Sequence, residues 1–334
     1  MTSSQRKVLV TGGAGYVGAV LCPKLIREGY QVRVLDTCWY GDDVFPSISE
    51  DPSFELIIGD IRNESDVLSA VRGCTDVIHL ACISNDPSYD LDTKFGEEIN
   101  FLAFEPLVQR AKSAGVSRFI YASSSSIYGV KQEEEVTEDL ESEPLTDYSK
   151  FKAQCEDVLG AYASEAFTVT TIRPATICGY SPRQRLDLVV NILVNHAVNE
   201  GSIRVFGGSQ YRPNLHIDDM CRAYLLLLAE PHARIHKKVF NVGGVNHTVS
   251  DLAELVRANV DGNPKIFMEP TNDLRSYRIS SKLIEETLNF RPEKTVGDAV
   301  RDLVEAFREG RLHDSMSLTK YYNIQRMAEI LSNR

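Results

Sequence analysis

Lys7-Val8-Leu9-Val10-Thr11-Gly12-Gly13-Ala14-Gly15-Tyr16-Val17-Gly18 is the stretch on which the reading of this chain turns. A short apolar run ends in glycines spaced G-x-x-G-x-x-G, at Gly12, Gly15 and Gly18, and an amphipathic stretch follows. Glycine permits a tight turn, close backbone approach to a bound group, and close packing of helix on strand. A helix that starts there offers free amides and a positive dipole end to a pyrophosphate. A glycine triplet alone says little; the strand–turn–helix setting makes it a dinucleotide-binding loop, with Tyr16 and Val17 inside it.

Working outward, Lys7–Thr11, Gln31–Asp36, Glu55–Gly59, Asp76–Leu80, Arg118–Ala122 and Thr168–Ile172 read as strands. Ala14–Glu28, Glu64–Arg72, Thr93–Ala114 and Thr146–Ala163 read as the helices between them. Such alternation predicts an α/β fold with a parallel sheet covered on both faces. Ligands then lie at the carboxyl ends of the strands. Asp36 ends the second strand, where a carboxylate accepts both adenosine-ribose hydroxyls and repels a 2′-phosphate, which favours NAD over NADP. Arg33 alternates away from the face of Val34 and is expected as a surface charge. Asp60-Ile61 follows the third strand, with Asp60 placed to accept from the adenine amino group. His79-Leu80-Ala81 closes the fourth, with His79 expected as a packed strand histidine.

After Pro174 the rhythm changes. A loop rich in Arg and Pro (Ser181–Arg185) leads to a helix near Leu186–Glu200, and a later helix spans about Asp218–Ala229. Val239–Val242 reads as a late sheet strand. The expected organisation is a dinucleotide-binding domain over 1–175, rejoined by a returning segment at about 214–243, and a smaller mixed α/β substrate lobe with its C-terminal tail over 176–334. The tail from Arg311 is expected as a docked terminal helix or a partly disordered extension.

The 334 residues carry a formal net charge of −11, which argues against general nucleic-acid or anionic-membrane binding but permits a local basic pocket. Seven cysteines, an odd number with no Cys-x-x-Cys pair, read as reduced thiols rather than a disulfide frame or a zinc site. No metal site is expected. No apolar run reaches membrane-spanning length and no signal peptide is evident, so the expected location is cytoplasmic.

Tyr148 and Lys152 stand one helical turn apart and point the same way. An ammonium beside a phenol favours the phenolate, which makes a base able to deprotonate an alcohol. A serine cluster, Ser123–Ser126, lies about twenty residues earlier. Glycine loop, serine cluster and Tyr-x-x-x-Lys together point to hydride chemistry on a secondary alcohol.

On these motifs, together with Asn100, Arg173-Pro174 and Arg212 to Asp218, the chain resembles the extended short-chain dehydrogenase/reductases, in particular the NAD-dependent nucleotide-sugar epimerase/dehydratase family, over about residues 7–310. The resemblance implies a Rossmann-type doubly wound sheet, NAD bound by the residues already named plus Leu80, Ala81 and Asn100, and a homodimer. It implies Tyr148 as base toward the sugar 4-hydroxyl, Lys152 on the nicotinamide ribose, and Ser124 on the reacting oxygen, with Ser125 as rival. Arg212 matches the family's diphosphate-binding arginine, and Arg275 is a second candidate. The implied substrate is a nucleoside-diphosphate sugar, oxidised at C4.

The 4,6-dehydratases of the family carry Asp-Glu directly after the catalytic Thr or Ser; here Ser125 and Ser126 stand instead, which disfavours dehydration. A 4-epimerase is the first expectation and a 4-dehydrogenase the second, since Ser181–Asn191 looks like a subgroup that includes bacterial GDP-heptose 4-dehydrogenases. In that segment Arg183 and Arg185 are expected on the diphosphate or on extra sugar hydroxyls. Thr176, where many epimerases carry Asn, and Ser84 complete the expected sugar contacts. A non-catalytic dinucleotide-binding regulator is the reading from another class.

Overall fold

The computed structural model of the protein describes residues 6–271 and 276–333. Twelve strands occur among them: β1 (Lys7–Thr11), β2 (Gln31–Asp36), β3 (Phe54–Ile58), β4 (Asp76–His79), β5 (Arg118–Ala122), β6 (Thr168–Pro174), β7 (Thr176–Cys178), β8 (Ser202–Phe206), β9 (Tyr211–His216), β10 (Lys238–Val242), β11 (Asn246–Thr248) and β12 (Lys265–Glu269). Seven form one sheet in the order β10-β6-β5-β4-β1-β2-β3. Every neighbouring pair in it is parallel. This is the doubly wound α/β fold that the alternating pattern predicts.

β1 shows why the strands read as unbroken apolar runs. Val8 and Val10 face one core with Leu21, Leu25 and Tyr224, while Leu9 faces the other with Val77, Leu107 and Phe119. Period-two alternation therefore buries both sets of side chains. A third core, with Leu193, Leu252 and Val300 at its heart, lies among the helices Val189–Glu200, Val249–Asn259 and Val296–Arg308. Beside it are the strand pair β12-β8 and the three-stranded sheet β11-β9-β7.

The strand order reverses at β1, which is flanked by β2 on one side and β4 on the other. The glycine-rich turn follows β1, so it sits at the topological switch point where such sheets bind ligands.

Two expectations are corrected. Arg33 is buried, not a surface charge: it pairs with Glu55 at 2.7 Å and donates to the carbonyls of Ala70 (2.9 Å) and Arg72 (2.7 Å) at the end of the Glu64–Val71 helix. Those orphan carbonyls require donors, and a guanidinium supplies several at once. The Thr93–Ala114 segment is also not one α-helix. It runs as Thr93–Glu97, a π-helical turn Glu98–Leu102 and Phe104–Ser113. Asn100 lies in the π turn, and its amide bonds both the N–H (2.8 Å) and the C=O (3.0 Å) of Ile83.

His79 is packed as expected, against Phe104 and Tyr121, with Nδ1 bonded to Thr11 Oγ1 at 2.7 Å. Burial, with Lys152 adding to it, pulls its pKa down to about 3. The folded pKa lies below the unfolded one, so the contribution to stability is whole above pH 6.5 and is lost as pH falls toward 3. Chemical denaturation at pH 7 and pH 5 should show a loss of about 2 kcal/mol from this group. A His79→Asn variant, less stable at neutral pH, should lack that part of the acid dependence.

Candidate active site

A cavity of about 630 Å³ opens along the carboxyl ends of β1, β2, β4 and β5 and reaches the helix Val189–Glu200 and strands β8 and β9. Its floor is the glycine-rich turn. Gly12 has φ +72°, and a Cβ there would lie 2.5 Å from Ala81 N. A Cβ on Gly18 would lie 2.2 Å from Gly13 O, so the helix Gly18–Arg27 rests directly on the turn. Gly15 is less crowded, with only Gly12 O close by at 3.0 Å, and faces the cavity. Side-chain-free backbone is thus required by packing at two glycines, and at the third it leaves room for a ligand.

Asp36, Asp60, Ile61, Leu80 and Ala81 line the same cavity, as do Tyr16 and Val17. Asp36 accepts from Ala14 N at 2.9 Å and Cys38 N at 2.8 Å. Burial raises its pKa, and those amides together with Arg183 oppose the rise. Asn100 does not line the cavity. Through Ile83 it fixes the loop that follows β4.

Tyr148, Lys152, Ser124 and Ser125 meet at the other end. The Asp147–Tyr162 helix presents the first two, capped reciprocally by Thr146 and Ser149. Ser124 Oγ is hydrogen-bonded to Ser126 Oγ at 2.8 Å and lies near enough to the Tyr148 phenol to favour its anion, whereas Ser125 points to the Tyr277 hydroxyl at 3.4 Å. Lys152 Nζ donates to Ala122 O at 2.8 Å and stands 5.9 Å from the centre of the Tyr148 ring. Burial pushes the Tyr148 phenol well above its ordinary pKa; Cys82 and Asp86 add to the rise, and Arg185 and Ser124 oppose it. The cation that acts on the phenol is thus Arg185, which the spacing of Tyr148 and Lys152 does not reveal.

Glu156 ties this end together. It holds Arg173 at 2.7 Å and receives a short bond from Ser123 Oγ, so the tyrosine helix, the serine turn and β6 are cross-linked.

The Ser181–Asp187 loop covers the glycine turn. Ser181 Oγ donates to Tyr16 O at 2.7 Å, and the Tyr16 hydroxyl donates to Gly179 O at 2.6 Å. Arg185 binds Asp187 through two nitrogens, at 2.9 and 3.1 Å, and reaches Ser84 Oγ at 3.3 Å. Arg183 lies 3.7 Å from the centre of the Tyr40 ring. Thr176 on β7 and Arg212 on β9 line the cavity as well. Arg275 lies outside the described residues.

The tail supplies a residue that the sequence does not betray. The helix Asn323–Ser332 docks with Met327 in the sheet's core, and Asn323 lines the cavity. Asn323 N donates to Asp187 at 3.1 Å, Asn323 Nδ2 to Ser84 Oγ at 2.7 Å, and Arg183 donates to Asn323 Oδ1 at 2.6 Å. Trp39, Tyr40, Asp187 and Tyr277 also line the cavity without carrying a recognisable motif. All seven cysteines are free, and no described helix is long and apolar enough to cross a membrane.

The residues present fit a dinucleotide. At Gly15 the turn leaves its backbone open to the cavity, and the buried Arg183 keeps Nε and Nη1 without a protein partner. Gly12, Gly15 and Gly18 would hold the pyrophosphate, Asp36 a ribose, and Lys152 the nicotinamide side.

Residues 8–243 match the model of the NAD dependent epimerase/dehydratase family. A UDP-glucose 4-epimerase of Corynebacterium glutamicum is 25% identical over 312 residues, covering 86% of this chain and 92% of its own. An uncharacterised protein of Sinorhizobium fredii is 31% identical over 221 residues, which are 65% of this chain and 52% of that protein. Among solved structures, a dTDP-glucose 4,6-dehydratase of Streptomyces venezuelae with NAD bound superposes with a TM-score of 0.81 at 26% identity, covering 91% of this chain and 98% of that one. The cofactor of this chain is NAD. By the family match and by the sheet it folds into, the chain belongs to the NAD-dependent nucleotide-sugar epimerase/dehydratase family.

Proposed function

We propose that the protein is a 4-epimerase of a nucleoside-diphosphate sugar, working through a 4-keto intermediate. Tyr148 takes the proton of the C4 hydroxyl, and Ser124 holds the reacting oxygen beside it. Lys152 binds the nicotinamide ribose from its place under β5, and Arg185 favours the phenolate. When bound, NAD accepts the C4 hydride and holds it for return. Arg212 is the anchor for the diphosphate, whose oxygens suit a guanidinium fork. Bringing alcohol, base and hydride acceptor together supplies much of the rate through orientation.

One observation carries the choice of reaction. Among the described residues, three carboxylates line the cavity: Asp36, Asp60 and Asp187. Asp36 is bonded to backbone amides and Asp60 to Arg62, both at the adenosine end. Burial would raise the Asp187 pKa, but Arg185 outweighs it and holds this carboxyl below its ordinary range. Two of the three are thus at the adenosine end and the third is paired with Arg185, so none is placed as an acid beside Tyr148, and Ser125 and Ser126 do not replace one. Removal of water across C5–C6 needs such an acid; epimerisation does not.

A second reading is a 4-dehydrogenase that releases the ketone. It is supported by the segment Ser181–Asn191, with its Arg185–Asp187 pair beside Ser84, where extra sugar hydroxyls would be received. Incubation with UDP-, GDP-, CDP- and dTDP-sugars followed by chromatography and mass spectrometry separates the outcomes. The expected product has unchanged mass and a new retention time. Loss of two hydrogens would establish the dehydrogenase, and loss of water would overturn the reading of the serines.

A further inference from the structure

Arg183 reads from sequence as a contact to the sugar or its diphosphate, but its surroundings are those of the other ligand. It is nearly fully buried, at 4% exposure. One nitrogen, Nη2, donates to Asn323 Oδ1 at 2.6 Å, and the guanidinium packs on Tyr40. Nε and Nη1 are buried with no protein acceptor. Its carboxylate neighbours are Asp36, at the adenosine-ribose position, and Asp187. Two residues earlier, Ser181 is bonded to Tyr16 of the glycine-rich turn. Burial draws the Arg183 pKa down to about 10, with Tyr40, Asp187 and Asp36 opposing and Arg185 reinforcing the fall. Leaving two charged donors unpaired in such a place is costly, so an acceptor is expected there.

We propose that Arg183 is a cofactor-binding residue whose Nε–H and Nη1–H donate to oxygens of the dinucleotide between the glycine-rich turn and Asp36, and that Asn323 of the C-terminal helix is the positioning residue that aims it. Asn323 suits that task because its three polar groups bind Arg183, Asp187 and Ser84, while Leu186 N donates to Tyr321 O at 2.8 Å just before it. The loop over the cofactor is thus tied to the glycine turn on one side and to the end of the chain on the other. Arg326 Nε adds a bond to Trp39 O at 2.7 Å, in the same loop as Tyr40. The consequence is a dinucleotide kept in place through turnover by a strap formed from the last helix.

The test uses the full-length protein loaded with isotope-labelled NAD, with release timed into excess unlabelled NAD. Arg183→Met should release the label about tenfold faster or more, as expected when hydrogen bonds from a charged group are lost. Arg183→Lys should recover part of the retention, and Asn323→Ala should lie between Arg183→Met and the parent protein. Affinities for UDP, dTDP and GDP, measured by calorimetry on the same proteins, should stay within about twofold. These readouts need no sugar turnover, so they are separate from the assignment of the reaction. Unchanged NAD release would overturn the proposal. So would normal release with weakened nucleoside-diphosphate binding, which returns Arg183 to the substrate. Parallel loss of both affinities with a lowered Tm would also overturn it, by making the role structural.

Discussion

Tyr148→Phe should lower kcat by about 10³-fold while leaving NAD and nucleoside-diphosphate affinity unchanged. The ring is partly buried on the cavity wall and the change removes one hydroxyl, so folding should be nearly unaffected. On the proposed mechanism, what is lost is the group that accepts the alcohol proton next to Ser124. Burial holds the phenol high, Cys82 and Asp86 raise it further, and Arg185 and Ser124 favour the anion. The base is active when deprotonated, so turnover should rise with pH over the accessible range. Arg185→Met should move that rise to higher pH, because it removes a charge that favours the phenolate. Steady-state kinetics with the responding nucleotide sugar, together with NAD titration, checks both statements. A Tyr148→Phe protein that keeps its full biological activity would instead favour the non-catalytic regulator.

Arg173→Ala should destabilise the fold by about 3–5 kcal/mol, the range expected when one partner of a buried ion pair is removed. Both side chains of the Arg173–Glu156 pair are 10% exposed. Arg173 also donates to the Tyr128 hydroxyl at 2.8 Å and to Glu138 O at 3.2 Å, so the variant leaves three acceptors unserved. Glu156 lies one helical turn beyond Lys152 and holds Ser123, next to Ser124. The remaining folded protein should therefore also lose activity through misplacement of the serine turn. Thermal denaturation and kcat on the same preparation would show the two effects together; a small Tm change would mean that water replaces the guanidinium.

The parts of this molecule that were legible are those set by local spacing. The turn at Gly12, Gly15 and Gly18 and its contact with the following helix are legible because all of it lies within seven residues. Tyr148 and Lys152 are four apart, which fixes their common face. Spacing does not say where a long side chain ends: Lys152 Nζ is directed at Ala122 O, and the cation opposing the rise of the Tyr148 pKa is Arg185, from a loop far along the chain. Arg33 shows the same limit. Alternation places it away from the cofactor face, but only folding brings the carbonyls of Ala70 and Arg72 over it. The π turn at Glu98–Leu102 is hidden because its residues suit an α-helix equally well; within it Asn100 accepts from Ile83 N and donates to Ile83 O, a contact far outside the helix pattern. Asn323 is 140 residues from Arg183 and belongs to no motif, so no pattern could have joined them.

The claim that the chemistry begins with hydride removal from C4 is tested most directly by a single turnover of the NAD-loaded enzyme. UDP-glucose, dTDP-glucose and GDP-mannose, each with protium or deuterium at C4, would be mixed with it while the absorbance of reduced nicotinamide is followed. For the sugar that reacts, the account predicts a transient rise, slowed by deuterium, and a product that keeps its deuterium at C4. Product formed at equal rates from both isotopologues, with no reduced nicotinamide at any time, would contradict it.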